Sequence, residues 1–362
     1  MSKTKEKGSR SDQAWNSADL YILDQIQSMD LTENSSVLIL NDEAGALTIP
    51  LCFKHKVYYF NDSLCSYNNS LKNLQNNRLE DKVVDFLTPD DALPENIDLI
   101  VIKNPKSLNY LEFELQLISS AYPEGIPVIA ADMTKNVHSS TVSLFEHYLG
   151  DAKTSLAWKK SRLILGKTSG KKEVINEFPV KYKPLDETFE LVNYPNLFAF
   201  GRLDPGTAFL LSNFPYVASR KKVIDLGCGD GVIAMKAASK WPEAEILCVE
   251  ESYLAIKSAK ESFSMSSLSN KVEFRVTDIL NGIELSSADL ILCNPPFHDN
   301  LSLSTATALE MFRQSAEVLK EGGELFVIAN KHLGYEKHLG KRFSKAQIIK
   351  SNKKFSIIRA VK

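Results

Sequence analysis

Val223-Ile-Asp-Leu-Gly-Cys-Gly-Asp-Gly231 decides how the second half of the chain folds. A short apolar, partly β-branched run leads into glycine at every second position, and an amphipathic stretch, Val232 to Lys240, follows. The pattern predicts a strand, a tight turn and a helix. Glycines at such a turn let backbone approach a ligand where any Cβ would collide. The spacing is GxGxG rather than the GxGxxG of pyrophosphate binders, and Asp225 beside the loop would repel a pyrophosphate. A nucleoside carrying a cationic group fits better, because the Asp225 carboxylate can hold an ammonium or orient a water bound to one.

Outward from this motif the same grammar continues. Lys222 to Leu226, Glu245 to Glu250, Lys271 to Val276, Leu290 to Cys293 and Glu324 to Ala329 are predicted as buried strands, with helices at Val232 to Lys240, Tyr253 to Phe263 and Thr305 to Leu319. Strand–helix alternation implies an α/β fold with a parallel, doubly wound sheet. The first half repeats the order more faintly, with strands at Ser36 to Leu40, Val57 to Asn61, Lys82 to Phe86, Ile97 to Ile102 and Pro127 to Ala131. Gly45 matches Gly231, Asp62 matches Glu250 and Asn104 matches Asn294, at offsets of 186, 188 and 190 residues, which points to internal duplication. Gly166 to Leu185, rich in Lys, Gly and Ser with Pro179 and Pro184, reads as a linker or irregular connection, so the domains are expected at 1–185 and 186–362.

Composition narrows the class. At 362 residues the chain suits two domains, and 44% hydrophobic with 24% charged residues is the balance of a globular protein. Met1 to Asp12 is polar and Lys-rich with no apolar segment, and no later run is long enough for a membrane span, so a frayed tail on a cytoplasmic, monomeric protein is expected. Five scattered cysteines without a CxxC pair indicate neither a disulfide framework nor a metal site. The net charge of −2 hides a strong asymmetry: Lys331 to Lys362 holds ten Lys or Arg against one acid, and Asp151 to Lys172 holds seven against one. Either stretch can meet phosphate or simply solvate a surface.

Three carboxylates follow successive strands. Asp225 comes first, Glu250 ends the next strand, where it can accept both hydroxyls of a ribose, and Asp278 follows the third, placed for the exocyclic amine of an adenine. Asn294-Pro-Pro-Phe297 follows the fourth. Two prolines stiffen the backbone, so the Asn294 side-chain carbonyl and the Pro295 main-chain carbonyl can both be presented as acceptors. Two acceptors suit a planar NH₂ group, whose delocalised lone pair makes it a poor nucleophile. Accepting both N–H bonds while stacking the ring on Phe297 would aim that lone pair at a methyl sulfonium. The same carbonyls stabilise the positive charge that develops on nitrogen.

Asp225-Leu-Gly-Cys-Gly-Asp-Gly231, the acid of Cys248-Val-Glu-Glu-Ser252 and Asn294-Pro-Pro-Phe297 resemble motifs I, II and IV of class I methyltransferases that modify exocyclic amines. Asn196 to Thr207, the extension to His298, and Ala329-Asn-Lys-His-Leu333 resemble the RlmG/RsmC group of ribosomal RNA guanine-N2 methyltransferases. Leu38 to Asp42, Val137 to Thr141, Leu156 to Lys160 and Phe355 to Lys362 look most like its large-subunit branch. The resemblance covers nearly the whole chain and implies two tandem Rossmann-like class I methyltransferase domains, the N-terminal one degenerate and given to RNA binding. It implies S-adenosylmethionine as cofactor, held by Asp225, Gly227, Cys228, Gly229, Glu250, Asp278 and Asn294, with Gly206 and Thr207 near its methionine end. Catalysis falls to Asn294, Pro295, Pro296 and Phe297, and ribosomal RNA, most readily that of the large subunit, is the partner. In the first half Glu43 and Ala44 crowd the glycine turn, and Lys106 replaces the second proline. Lys103, Lys106, Lys159, Lys160 and Arg162 are expected to face phosphate, and Trp158 either stacks a base or packs in the core. His298 is open as a base. A small-subunit target, another planar amine, or a non-catalytic RNA-binding or ribosome-assembly role stays open from sequence.

Overall fold

Apolar runs bounded by turns become the interior of two sheets. The computed structural model describes residues 14–79, 84–171, 177–185, 187–215, 221–296 and 301–362. The chain divides into two compact units, Met1–Asn176 and Glu177–Lys362. In the first unit the strands are β1 (Ser36–Leu40), β2 (Lys56–Phe60), β3 (Val84–Leu87), β4 (Leu99–Lys103), β5 (Pro127–Met133), β6 (Lys153–Thr154) and β7 (Ser161–Lys167). In the second they are β8 (Val180–Tyr182), β9 (Leu191–Asn193), β10 (Lys222–Leu226), β11 (Glu245–Glu250), β12 (Val272–Val276), β13 (Ala288–Cys293), β14 (Leu319–Asn330), β15 (Lys345–Ser351) and β16 (Phe355–Val361).

Among the described residues each unit builds one seven-stranded sheet, in the orders β3-β2-β1-β4-β5-β7-β6 and β12-β11-β10-β13-β14-β16-β15. Strand for strand the two orders are the same. The first five strands of each run parallel, and β7 and β16 run antiparallel to their neighbours. Central strands such as β1 (SVLIL) and β10 (KVIDL) are covered on both faces by helices, so they carry continuous rather than alternating apolar residues. The order reverses between β10 and β13, and the crevice at their C-terminal ends is where such sheets bind ligands. Strand order alone therefore brings the glycine loop and Asn294 side by side.

The pairing also corrects the match between the halves. Leu40 lies opposite Phe60 and Ile102, while Leu226 lies opposite Val249 and Cys293. One step on, Asn61 rather than Asp62 takes the place of Glu250, and Lys103 rather than Asn104 takes that of Asn294. Ile39 takes the place of Asp225. A shift of one residue in a strand turns the side chain to the other face, which is why counting along the sequence missed it.

The unit boundary falls nine residues before the expected one, because β8 pairs with β9 inside the second unit and β7 runs through Lys167 in the first. Strands thus enter the expected linker at Gly166–Lys167 and Val180–Tyr182, and residues 172–176 lie outside the described residues. So does Met1 to Asp12. Among the described residues no helix is long and apolar enough to cross a membrane.

Candidate functional site

In the second unit β10 delivers Asp225 and then turns sharply. Gly227, Gly229 and Gly231 have φ of +74°, +54° and +84°, values that a residue with a Cβ adopts only under strain. Their surroundings differ. A Cβ on Gly231 would stand 3.1 Å from the Ala259 Cβ, so this glycine lets the helix Val232–Lys240 close on its neighbour Tyr253–Ser264. A Cβ on Gly229 would meet nothing within 4 Å, so that glycine faces open space. Cys228 is turned into the core beside Cys248, which leaves only its main chain to the loop.

Asp225 is wholly buried. Its Oδ2 accepts the Ala234 N–H at 2.9 Å, whereas Oδ1 is buried with no partner. Burial pushes its carboxyl up to about 8, the Ala234 N–H works against that, and the nearby Glu250 and Asp230 reinforce it. Glu250 accepts the Glu251 N–H at 2.9 Å and the Gly229 N–H at 3.3 Å, and burial pushes it up to about 7. Asp278 stands half-buried in the turn after β12. The three acids thus stand at the C-terminal ends of adjacent parallel strands. Asp230, within the loop, was not singled out by sequence. Its Oδ2 accepts the Tyr182 hydroxyl at 2.6 Å and the Asn193 amide at 3.1 Å, tying the β8–β9 hairpin to the glycine turn.

Asn294 follows β13 directly. Its Nδ2 donates to Thr207 Oγ1 at 2.9 Å and to Asp204 Oδ2 at 3.3 Å, and its Oδ1 is buried without a partner. A carboxylate only accepts, so Asp204 dictates which end of the amide faces it, and the carbonyl must point the other way. Asp204 is itself fixed as the N-cap of the helix Pro205–Ser212, with Pro205 in the first turn and the Thr207 N–H at 2.8 Å. Gly206 is required there: a Cβ would come within 2.9 Å of Asp204 Oδ2 and 3.3 Å of the Phe355 ring. Asp204 is the residue that the sequence reading missed, although Asp-Pro-Gly-Thr carries a plain helix-start signal. Pro295 is buried and Pro296 exposed. Phe297 and His298 lie outside the described residues.

The first unit fills the corresponding place differently. Asn41, at φ +64°, makes the turn that Gly227 makes at +74°. Its amide donates to the Lys103 carbonyl at 3.1 Å and to Glu114 at 3.0 Å. Asp42 accepts the N–H groups of Ala46, Leu47 and Thr48, which closes the loop on itself. Lys103, expected at phosphate, is turned inward instead: its ammonium stands 2.8 Å from Asp19 and 3.7 Å from Asp42, both fully buried. Burial works to lower the Lys103 pKa, yet Asp19 and then Asp42 outweigh it and hold the ammonium charged. Lys106, Lys159 and Lys160 are exposed and Arg162 half-buried. Trp158 is neither free nor in the core. It packs against Tyr21 at 5.3 Å between centroids and carries the Lys159 ammonium 4.3 Å from its ring.

An acid, three glycines and an asparagine–diproline corner meet at the switch point of a sheet with one antiparallel strand beyond its parallel core, and this defines a class I methyltransferase domain. The methyltransferase small domain family matches residues 188–359, and the RLMG N-terminal domain family matches residues 3–171. The chain belongs to the ribosomal RNA large subunit methyltransferase G family. It is 40% identical to the ribosomal RNA large subunit methyltransferase G of Pseudoalteromonas translucida, over 99% of this chain and 94% of that relative. The enzyme of the same name from Streptomyces avermitilis is 38% identical, over 96% and 93%. Among solved structures, the Thermus thermophilus 16S rRNA N2 G1207 methyltransferase, in complex with AdoMet and guanosine, superposes with a TM-score of 0.78 over 98% of this chain and 93% of that one. At 21% identity that likeness speaks for the fold.

Proposed function

We propose that the second unit transfers a methyl group from S-adenosylmethionine to the exocyclic N2 of a guanine in large-subunit ribosomal RNA. The observation that carries this reading is the Asn294 amide, clamped by Asp204 and Thr207 so that its buried carbonyl is left without a donor. A buried acceptor without a partner costs about 1–3 kcal/mol, and an incoming N–H removes that cost. The Pro295 carbonyl supplies the second acceptor on a backbone stiffened by two prolines. Together they suit an NH₂ group and stabilise charge as it grows on nitrogen.

The residues at the other side of the crevice fit the cofactor. The unpartnered Asp225 Oδ1 suits an ammonium or an ordered water, the open space at Gly229 admits a ligand against backbone, and Glu250 suits a ribose diol. Asp278 suits the adenine amine. Gly206 and Thr207 serve the site by holding Asn294. When bound, the cofactor supplies an electrophilic methyl on a sulfonium. The N-methylated amine then sheds a proton readily, so no strong base is called for.

Support for the large-subunit target comes from the names of relatives at 36–40% identity over nearly their full length. The N-terminal unit is read as degenerate and without cofactor, because Ile39, Asn61 and Lys103 stand where the second unit has Asp225, Glu250 and Asn294. RNA contact is assigned to Lys106, Lys159, Lys160 and Arg162, with the action in the cytoplasm. Ribosomal RNA from cells lacking this gene, examined by mass spectrometry, should lack one N2-methylguanosine in the large subunit, and wild-type enzyme should restore it in vitro. Label from S-adenosylmethionine entering only protein, or only small-subunit RNA, would overturn the reading.

A further inference from the structure

The basic run from Lys331 to Lys362 does not form one patch. Strand directions split it. β14 runs parallel to β13, so Asn330 ends at the same edge of the sheet as Cys293, and antiparallel β16 starts at that edge with Phe355 opposite Asn330. β15 ends there with Ser351. Lys331, Lys353 and Lys354 therefore sit at the edge that holds Asn294, and all three are exposed. Lys345 lies opposite Val361, at the far edge. There the Lys362 ammonium donates to the Leu319 carbonyl at 2.6 Å, and in the sheet Arg359 is spent on buried Glu324.

The near-edge lysines are held in place. Asn352 Oδ1 accepts the N–H groups of Lys354 and Phe355 at 2.8 and 2.7 Å, fixing the β15–β16 turn, and the Lys331 N–H donates to the Lys354 carbonyl at 2.9 Å. The path to the chemistry is short. The Phe355 ring abuts Gly206, whose neighbour Thr207 bonds Asn294 at 2.9 Å. On the same segment Arg202 is exposed two residues before Asp204, so its Cα lies within about 7 Å of the Asp204 Cα. Among the described residues no ion pair engages these four cations.

We infer that Arg202, Lys331, Lys353 and Lys354 form a phosphate clamp on the catalytic unit, gripping the RNA backbone on either side of the target nucleotide. This rests on the RNA-methylating function proposed above and adds which strand chemistry the mouth of the site reads. A base must leave its stack to bring its NH₂ to Asn294, and its flanking phosphates then arrive at the rim of the crevice. Four exposed cations there offset that charge, with no acid among residues 331–362 except Glu336. The grip is on backbone, so it adds affinity without sequence preference.

The test compares two sets of substitutions within one basic run. Full-length protein carrying Lys331→Ala, Lys353→Ala and Lys354→Ala is set against Lys341→Ala with Lys345→Ala, using protein-free large-subunit ribosomal RNA from cells lacking the gene. The triple variant should raise KM for RNA about tenfold or more near ~0.15 M salt and lower the slope of log affinity against log salt by about 2, at ~0.7 per phosphate contact on a single strand. Its affinity for S-adenosylmethionine by calorimetry, and kcat at saturating RNA, should stay at wild-type values. Lysine-to-arginine changes at the three positions should restore KM. Wild-type protein that methylates this RNA while the triple variant matches it, or while the Lys341 and Lys345 double variant loses as much, overturns the clamp alone. Wild-type protein that binds no cofactor and methylates no RNA sinks the underlying function and the clamp with it.

Discussion

At the end of β4 stands Lys103 and at the end of β13 stands Asn294, two residues in the same place of two sheets with the same strand order. The first offers a positive charge already neutralised by Asp19 and Asp42. The second offers an oxygen with nothing to accept from. Beside them the contrast repeats, with Ile39 against Asp225. At these two matched positions the first unit has an apolar side chain and a paired cation, whereas the second leaves Asp225 Oδ1 and Asn294 Oδ1 buried without a partner. On the function proposed above, binding at this place in the second unit draws on polar groups that its fold leaves unsatisfied, at a cost in stability.

Substitutions at the paired positions should fail in opposite ways. Asn294→Ala should lower kcat about 10²–10³-fold, by analogy with removing one preorganised polar group from a transition state, with thermal stability and cofactor affinity little changed. A variant that unfolds instead would place Asn294 among structural residues. Lys103→Met should cost about 3–5 kcal/mol in denaturant unfolding, because two buried carboxylates lose their cation, while cofactor affinity of the folded protein stays the same. Loss of cofactor binding in that variant would break the contrast, and so would calorimetry finding two cofactor molecules per chain rather than one.

Asp225 gives a smaller, pH-dependent effect. Its carboxyl is raised to about 8 by burial, so holding an ammonium requires it to release a proton on binding at any lower pH. Affinity for S-adenosylmethionine should therefore rise from pH 6 towards pH 8, by up to about tenfold per unit, until the ligand's own α-amino group, near ~8, loses its charge. Without ligand the sign is opposite: a carboxyl raised in the folded state makes the protein less stable as pH climbs from about 4 towards 8. Asp225→Asn should flatten both profiles, and calorimetry in buffers of different ionisation enthalpy would expose the released proton. Asp204→Ala should be mildest, at about 1 kcal/mol for the lost cap and roughly tenfold in kcat as the Asn294 amide gains freedom to turn. Unchanged kcat there would mean the amide is oriented by something else.

Most of the parallel core was legible beforehand, because continuous apolar runs such as Val223-Ile-Asp-Leu and Leu290-Ile-Leu-Cys bury on both faces and announce themselves. β10 and β11 fall where expected, at Lys222–Leu226 and Glu245–Glu250. The antiparallel edge was not. β7 is interrupted by Arg162, and β16 by Arg359, whose charge is absorbed by Glu324 across the strand pair, a compensation that no local pattern reveals. At the site, the glycines and Asn294 were readable as a motif. Asp204 was not assigned a role, since its effect on Asn294 spans 90 residues of chain and depends on the fold. The inward turn of Lys103 escaped for the same reason, because Asp19 comes from the helix Ser17–Gln27, far away in sequence.

In both sheets the outermost strand is made before the one that attaches it: β6 precedes β7, and β15 precedes β16, yet each joins its sheet only through the later strand. During synthesis β15 must therefore wait, with its hydrogen-bonding edge unpaired, until Phe355–Val361 is long enough to slot between it and β14. Chaperone demand should peak in that interval, so slowing translation after Ser351 would trap an open, sticky intermediate of the catalytic half while the first half is already folded.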